Sequence, residues 1–437
     1  MEVNNGKDLW KNAKTIIPTG NQLLSKRSER FLPGNWPAYY KRAKGCRIWD
    51  LEDKEYLDFA QMGVGSCILG YANEEVNNAV INAINNGSMA SLNSYEEVLL
   101  AEKLLDLHKW ADMVRFARTG GEACAVGIRI ARAASGKDKV AFCGYHGWHD
   151  WYISANIGKE RNLDEQLLPG LKPNGVPRQL KNTSIPFFYN NIQSLKKVVE
   201  ENNDIGVIIM EPQRNENPKN NFLQEVKSIA RKIGAILIFD EVTSGFRMNN
   251  GGIHLTYNVE PDMAIFGKAL GNGFPISAII GRKEVMEAAQ TSFISSTMWT
   301  ERIGFVAGLK TLEIIERDKV YLDLLKYGNQ INEAWNTAAE KVNLKIHISG
   351  IPQLTHITFA NEFPMESQTF YAQEMLKKGY LVGASIYATS AYSDEIIKKF
   401  AEATEDVFFG LSKYLKNNTL IDRLEGSVIE QGFKRLN

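Results

Sequence analysis

The chain is poor in cysteine, with four thiols in 437 residues: Cys46, Cys67, Cys124 and Cys143. None forms a CxxC pair, and none has the histidine spacing of a zinc site. Four cysteines do not make a disulfide framework in a chain this long, so a reduced, cytoplasmic compartment is expected. The chain also lacks a charge of one sign. Lys plus Arg and Asp plus Glu both number 51, and the formal net charge is zero. That balance argues against a nucleic-acid or anionic-membrane partner held by a strong overall positive field. No apolar run approaches the ~18 residues of a membrane span, and the first residues carry no apolar stretch of the secretory kind. Repeats and low-complexity tracts are absent too.

What is present is ordinary in amount and informative in order. Hydrophobic residues make up 44% and charged residues 23%, as in a globular protein. At ~150 residues per domain the length predicts two or three domains. Residues 1–45, punctuated by Pro18, Gly20, Pro33, Gly34 and Pro37, read as a helix followed by an irregular arm. Residues 46–60 read as a hairpin around the polar turn 52–54. From about 70 to 300, apolar strands alternate with helical segments. Strands are predicted at 113–117, 139–143, 206–210, 235–239 and 263–266, with helices at 122–134 and 222–233 and another opening at Gly281. Short β-rich runs separated by amphipathic helices imply a mostly parallel sheet covered on both faces. Residues 305–342 read as helical, with an α+β pattern to about 416 and a polar tail.

In open parallel sheets ligands bind at the carboxyl edge, and five clusters fall there. In Arg118-Thr119-Gly120-Gly121-Glu122 the glycines let backbone approach a ligand, and a following helix would point its amides at an anion. The plainer reading is a Gly-rich turn capping a helix. Gly144-Tyr145-His146-Gly147-Trp148-His149-Asp150 offers an aromatic face for a flat group. His146 and His149 lack a third ligand, and no metal site is expected. The loop from Glu211 through Arg214 to Glu216 follows a strand and reads equally as polar surface. Asp240 ends an apolar strand, and a buried carboxylate there needs a cationic or hydrogen-bonding partner. Arg247 would serve as that partner, more naturally for Glu241. Lys268 follows another apolar strand among glycines, a setting that disfavours an ammonium and suits Schiff-base chemistry. Its plainer reading is a surface lysine on a turn.

Together these supply an anion cradle, an aromatic, a strand-end carboxylate and a strand-end amine. Pyridoxal phosphate needs all four: an amine for its aldehyde, a cradle for its phosphate, an apolar face for its ring and a carboxylate for its pyridine nitrogen. The order Thr119-Gly-Gly-Glu, Tyr145-His-Gly, Glu211-Pro, Asp240-Glu-Val and Lys268 resembles the class III pyridoxal-phosphate aminotransferases. It is most similar to the branch around glutamate-1-semialdehyde 2,1-aminomutase, over residues 15 to 415. The resemblance includes Tyr40-Lys41-Arg42-Ala43-Lys44-Gly45 and Ile68-Leu69-Gly70-Tyr71.

The resemblance implies a fold type I α/β transferase with a mostly parallel seven-stranded sheet and a smaller α+β domain from both chain ends. The expected division is an arm and part of the small domain at 1–60, the large domain at 61–308 and the rest of the small domain at 309–437. It implies that Lys268 holds the cofactor's aldehyde and moves the substrate proton, and that Asp240 pairs with the pyridine nitrogen. Val242 and Tyr145 would pack on the two ring faces, and Thr119, Gly120 and Gly121 would hold the phosphate. Thr297 would reach the phosphate of the other subunit of a homodimer, and Glu216 stands where the aminomutase carries an Asn near the ring hydroxyl. The implied reaction is ping-pong transfer, through aldimine and pyridoxamine forms, from an amino-acid donor such as glutamate to a small carbonyl acceptor. Lys26, Arg27, Arg214 and Arg302 are candidate partners for a substrate carboxylate or phosphate, although isolated basic residues are usually solvated.

Departures from the family pattern fall where substrate would lie. The usual Ser-Gly-Thr cradle is Thr119-Gly120-Gly121. Trp299-Thr300-Glu301-Arg302 replaces a Ser-Gly-Asn-Pro run, and Leu23-Leu24-Ser25-Lys26-Arg27 replaces a Ser-Pro-Val-Arg run. The alternatives are the aminomutase itself, a decarboxylase or epimerase of the same fold, and a non-catalytic relative. The joint presence of Lys268 and Asp240 argues against the last.

Overall fold

In the computed structural model, which describes residues 5–166, 169–213, 215–430 and 432, the apolar runs become strands of one sheet. The strands are β1 (Met113–Ala117), β2 (Lys139–Cys143), β3 (Ser184–Pro186), β4 (Ile205–Met210), β5 (Ile236–Asp240), β6 (Met263–Phe266) and β7 (Ser277–Gly281). They are ordered β1-β7-β6-β5-β4-β2-β3. β3, β2, β4, β5 and β6 run parallel, and β7 is antiparallel to both β6 and β1. This sheet belongs to a unit of residues Glu74–Tyr321; Met1–Asn73 and Leu322–Asn437 form a second unit.

Every residue of β4 is buried, which follows from cover on both faces. Because side chains alternate across a strand, its residues divide between two cores. Val207 and Ile209 join Ile238 and Ile265 under the helix α3 (Gly120–Ser135). Ile208 and Met210 join Leu237 and Phe239 under α4 (Ile192–Glu201) and α5 (Phe222–Ile233), through Leu195, Leu223 and Val226. Helices α1 (Glu74–Asn85) and α2 (Glu96–Leu107) pack with α6 (Arg302–Asp318). Gly136 and Gly234 close α3 and α5 at φ of 65° and 66°, values that a side chain disfavours.

The second unit carries a four-stranded sheet of Tyr40–Lys44, Arg47–Asp50, Glu55–Phe59 and Tyr380–Val382, and a three-stranded sheet of Ile346–Ser349, Leu354–Phe359 and Ser385–Tyr387. Its core holds Phe59, Trp335, Tyr371 and Phe400, with the Trp335 indole donating to the Tyr371 hydroxyl at 3.0 Å. The polar tail is docked as far as Glu430: the backbone of Glu425 donates to Gln373 and that of Ile429 to Thr369.

Differences from the sequence reading are local. Residues 40–44 form a strand instead of part of an irregular arm, and β3 and β7 lie where the sequence predicts no strand. β3 is three residues long, and β7 ends on Gly281, where the sequence predicts a helix start; the helix there is the single turn Lys283–Met286.

Gly206 marks where β4 passes the end of α3. A Cβ there would stand 2.5 Å from Ser135 Oγ, 2.6 Å from Lys137 Cβ and 2.9 Å from Lys137 O. Gly206→Val is expected to destabilise the larger unit by about 1–3 kcal/mol, the range for overpacking, read as a lower urea midpoint; an unchanged midpoint would contradict this packing.

Candidate active site

Strand direction brings the candidate residues to one edge. β7 reverses against both β6 and β1, so β1 points the same way as the parallel strands. The segments leaving β1, β2, β4, β5 and β6 therefore start from one rim. They begin at Arg118, Gly144, Glu211, Glu241 and Gly267.

Asp240 closes β5 and is 4% exposed. An isolated charge at that depth is costly, and three groups attend it. His146 Nδ1 lies 2.7 Å from Oδ2, the Cys124 thiol donates to the same oxygen at 3.4 Å, and the Val242 backbone donates to Oδ1 at 3.0 Å. Burial, then the neighbouring Asp240 charge, pushes the Cys124 thiol well up. Ligand atoms of Cys124, His146 and Asp240 lie within 4.8 Å of one another. The 2.7 Å His146–Asp240 spacing is that of a hydrogen bond.

Lys268 follows β6 with φ of 41°. That left-handed backbone costs a residue with a Cβ on the order of 1–3 kcal/mol, and such strain collects at functional sites. Its ammonium donates to Thr243 Oγ1 at 2.7 Å. Between Thr243 and Asp240, Val242 projects toward the start of α3: a Cβ on Gly120 would fall 2.6 Å from Val242 Cγ1. The same Cγ1 would stand 3.5 Å from a Cβ on Gly267. Lys268, Val242, Gly120 and Asp240 are thus joined by short links.

The first turn of α3 is built by a capping box. Thr119 Oγ1 accepts from the Glu122 backbone at 3.4 Å, while Glu122 accepts from the backbones of Thr119 at 3.2 Å and Arg118 at 2.9 Å. The amides of Gly120 and Gly121 have no carbonyl to meet within the helix. Arg118 turns away and gathers carbonyls: Met298 at 2.7 Å, Trp299 at 3.1 Å, Pro275 at 3.4 Å, and Glu301. It holds beside Thr119 the turn Thr297–Thr300, whose first residue is exposed.

Tyr145 is partly buried, edge-on to Tyr152 at 6.1 Å. Its backbone donates to Glu211 Oε2 at 3.3 Å. Glu216 is set apart from this group. It is exposed, 3.2 Å from the Asn190 amide and 3.1 Å from Lys219. The Lys219 ammonium, then Asn190, hold its carboxyl below the usual range.

Other candidates have structural employment. Glu301 caps α6 through the amides of Ile303 and Gly304. Arg302 grips Glu96, at 2.6 Å from Oε1. Burial acts to raise the Glu96 carboxyl, yet hydrogen bonds from Arg302 and Ser94 bring it down to about 2. Glu241 meets His254 Nδ1 at 2.8 Å, and Arg247, fully buried, donates to the Thr243 carbonyl at 2.6 Å. Lys26, exposed, and Arg27, buried, belong to the other unit. Arg214 lies outside the described residues. Sequence reasoning gave no role to Cys124, Thr243 or Arg118. Their importance comes from contacts with residues 25 to 183 positions away, for which no local pattern exists.

With this geometry in place, comparison with known proteins is informative. The family described as aminotransferase class-III matches residues 33–402. The 3-aminobutyryl-CoA aminotransferase of Cloacimonas acidaminovorans is 34% identical over 363 residues, covering 81% of this chain and 83% of that one. The glutamate-1-semialdehyde 2,1-aminomutase of Methanocaldococcus jannaschii is 31% identical over 437 residues, covering 94% and 99%. Among solved structures, the FumI protein of Sphingopyxis sp. MTA144, in a form carrying pyridoxal phosphate, superposes with a TM-score of 0.85 at 25% identity, over 96% of this chain and 98% of that one.

The thiols offer a direct check on the rim and on the core. All four cysteines are free and buried. Burial pushes each thiol up, Cys46 to about 11 and Cys124 well above its usual value. With every thiol buried and raised, a disulfide reagent at pH 8 should label less than one site per chain in minutes, and four after denaturation. Prompt labelling of Cys124 in the folded protein would contradict the packing around Asp240.

Proposed function

The chain belongs to the class-III aminotransferase family, and from that premise we propose that it takes an amino group from an amino-acid donor, glutamate, and passes it to a small carbonyl acceptor. It is a pyridoxal-phosphate-dependent aminotransferase; the donor, the residue roles and the assembly are the proposal. The observation that carries it is the convergence of Lys268, Asp240 and the first turn of α3 on one rim, joined through Val242.

The residues present fit the cofactor. Lys268 offers an amine and Asp240 a carboxylate. Gly120 and Gly121 bring bare backbone to a helix N-terminus, with Val242 packed so closely that a Cβ on Gly120 would fall 2.6 Å from its Cγ1. When bound, pyridoxal phosphate supplies an aldehyde for the amine and a ring that draws off the electrons left when a proton departs. Lys268 would hold that aldehyde through its Nζ, and the same amine, when free, would accept and return the substrate proton. Thr243 accepts from its Nζ and so sets the direction in which the amine lies. Asp240 keeps the proton on the pyridine nitrogen, with His146, Cys124 and the Val242 amide fixing its carboxylate. Val242 and Tyr145 exclude water from the two ring faces. Thr119 and the amides of Gly120 and Gly121 bind the phosphate. Glu216 lies in a separate exposed ion pair, so the proposal gives it no contact with the ring.

The assembly proposed is a homodimer in which Thr297 of the partner subunit completes the phosphate site. In support, the surface beside Thr297 is apolar and exposed: Leu92 is 85%, Tyr95 65% and Met298 62% accessible. The loop carrying Leu92 is tied to this turn, because the Arg302 backbone donates to Ser88 O at 3.0 Å. A patch of this kind on a globular protein marks a contact surface. A cytoplasmic location is supported by the four unbridged cysteines. Among the described residues, no helix is long and apolar enough to cross a membrane.

The relatives named glutamate-1-semialdehyde aminomutase make intramolecular transfer the second reading, with the same residues acting on one substrate. Product analysis without added donor or acceptor separates the two.

Borohydride treatment of the loaded enzyme should abolish its visible absorbance and leave the label on the peptide containing Lys268; a label elsewhere would refute the assignment. Lys268→Ala should retain bound cofactor and lose multiple turnover. Asp240→Asn should lower turnover at least about a hundredfold, the scale of losing a charge partner in the transition state. Near-normal rates would make Asp240 structural.

Light scattering should give twice the 49.1 kDa chain mass, and a monomer that turns over would overturn the shared site.

A further inference from the structure

The cradle at the start of α3 carries one hydroxyl. Only Thr119 brings a hydroxyl, since residues 120 and 121 are both glycine. The space a side chain at 121 would use is already taken. A Cβ on Gly121 would stand 3.3 Å from Gly147 Cα and 3.4 Å from His149 Nδ1. Gly147 in turn has φ of 102°, and a Cβ there would fall 2.6 Å from Gly121 Cα. The segments leaving β1 and β2 therefore touch backbone to backbone, and the His149 ring is carried into the place of a residue-121 side chain. Trp148 stacks on that ring at 4.5 Å and 25°. His149 Nδ1 is buried with no hydrogen-bond partner among the described residues, although a buried polar atom is costly to leave unmade.

We propose that His149 is a phosphate ligand of the cofactor, its Nδ1 donating to the anion alongside the amides of Gly120 and Gly121 and replacing a hydroxyl that Gly121 cannot offer. Binding is then what gives the orphaned nitrogen its partner. Burial acts to lower the His149 imidazole, and the charges of Glu122 and Asp150 act the other way. A phosphate dianion would act in the same direction as those charges, and the ring can donate through Nδ1–H in either its neutral or its protonated form. The proposal rests on the reading of Thr119–Gly121 as the phosphate cradle, and the experiment separates the two claims.

The full chain, freed of cofactor by dialysis, is titrated with pyridoxal phosphate and with pyridoxal, which lacks the phosphate, and visible absorbance reads both dissociation constants. Wild-type protein should prefer pyridoxal phosphate strongly. In His149→Ala the Kd for pyridoxal phosphate should rise roughly ten- to a hundredfold, the worth of one hydrogen bond to a charged group, with the Kd for pyridoxal unchanged. The double variant Gly121→Thr with His149→Ala, where the vacated space admits a hydroxyl, should regain most of the lost affinity. If both constants rise together in His149→Ala, or neither moves, or the double variant recovers nothing while remaining folded by near-UV circular dichroism, the phosphate role falls and the cradle stands. A wild-type chain that binds pyridoxal and pyridoxal phosphate equally overturns the cradle and His149 together.

Discussion

Burying the Asp240 carboxylate is the constraint on which the rest of the larger unit depends. A lone carboxylate at that depth would cost far more than any single contact returns. The chain meets the cost with donors from three places: His146 after β2, Cys124 in the second turn of α3, and the amide of Val242 in its own turn. A hydrogen bond to a charged group contributes about 1.5–3 kcal/mol, so each is worth having and none is sufficient alone. Satisfying one side chain thereby locks the loop after β2, the start of α3 and the end of β5 into one register. The Val242 side chain then falls against Gly120 and Gly267, and the turn after β6 is drawn into the same set.

Lys268 shows the opposite economy. Its left-handed backbone is unfavourable by itself, and the surroundings over-determine it. Every residue of β6 before it is buried, Ala269 and Leu270 after it are buried, and its amine is held by Thr243. The strain is fixed by the fold rather than by the residue. Asp240 is costly because of charge and Lys268 because of conformation, and adjacent turns of the same sheet edge stabilise both.

Much of this was legible in the sequence because it depends on local signals. Alternating apolar runs between amphipathic helices give β2, β4, β5 and β6, and the strand ends then place Asp240 and Lys268 on one edge. β3 was hidden by its length of three residues. β7 was hidden because Ser277–Gly281 follows a stretch of glycines that reads as loop. Arg118 and Thr243 lay in the clusters and Cys124 just beyond one, but none carried a pattern, since their partners are distant in the chain. The candidate arginine at 302 failed for the same reason: its natural partner, Glu96, stands in another helix.

The departures from the family pattern become intelligible when taken in physical pairs. Glu301 and Arg302 interrupt the expected small-residue run, yet one caps α6 and the other neutralises Glu96 on α2, so the run has become a helix start. Arg118 holds the turn before it through the carbonyls of Met298 and Trp299. Gly121 follows the same logic. A side chain there would press on Gly147 and reach the His149 ring.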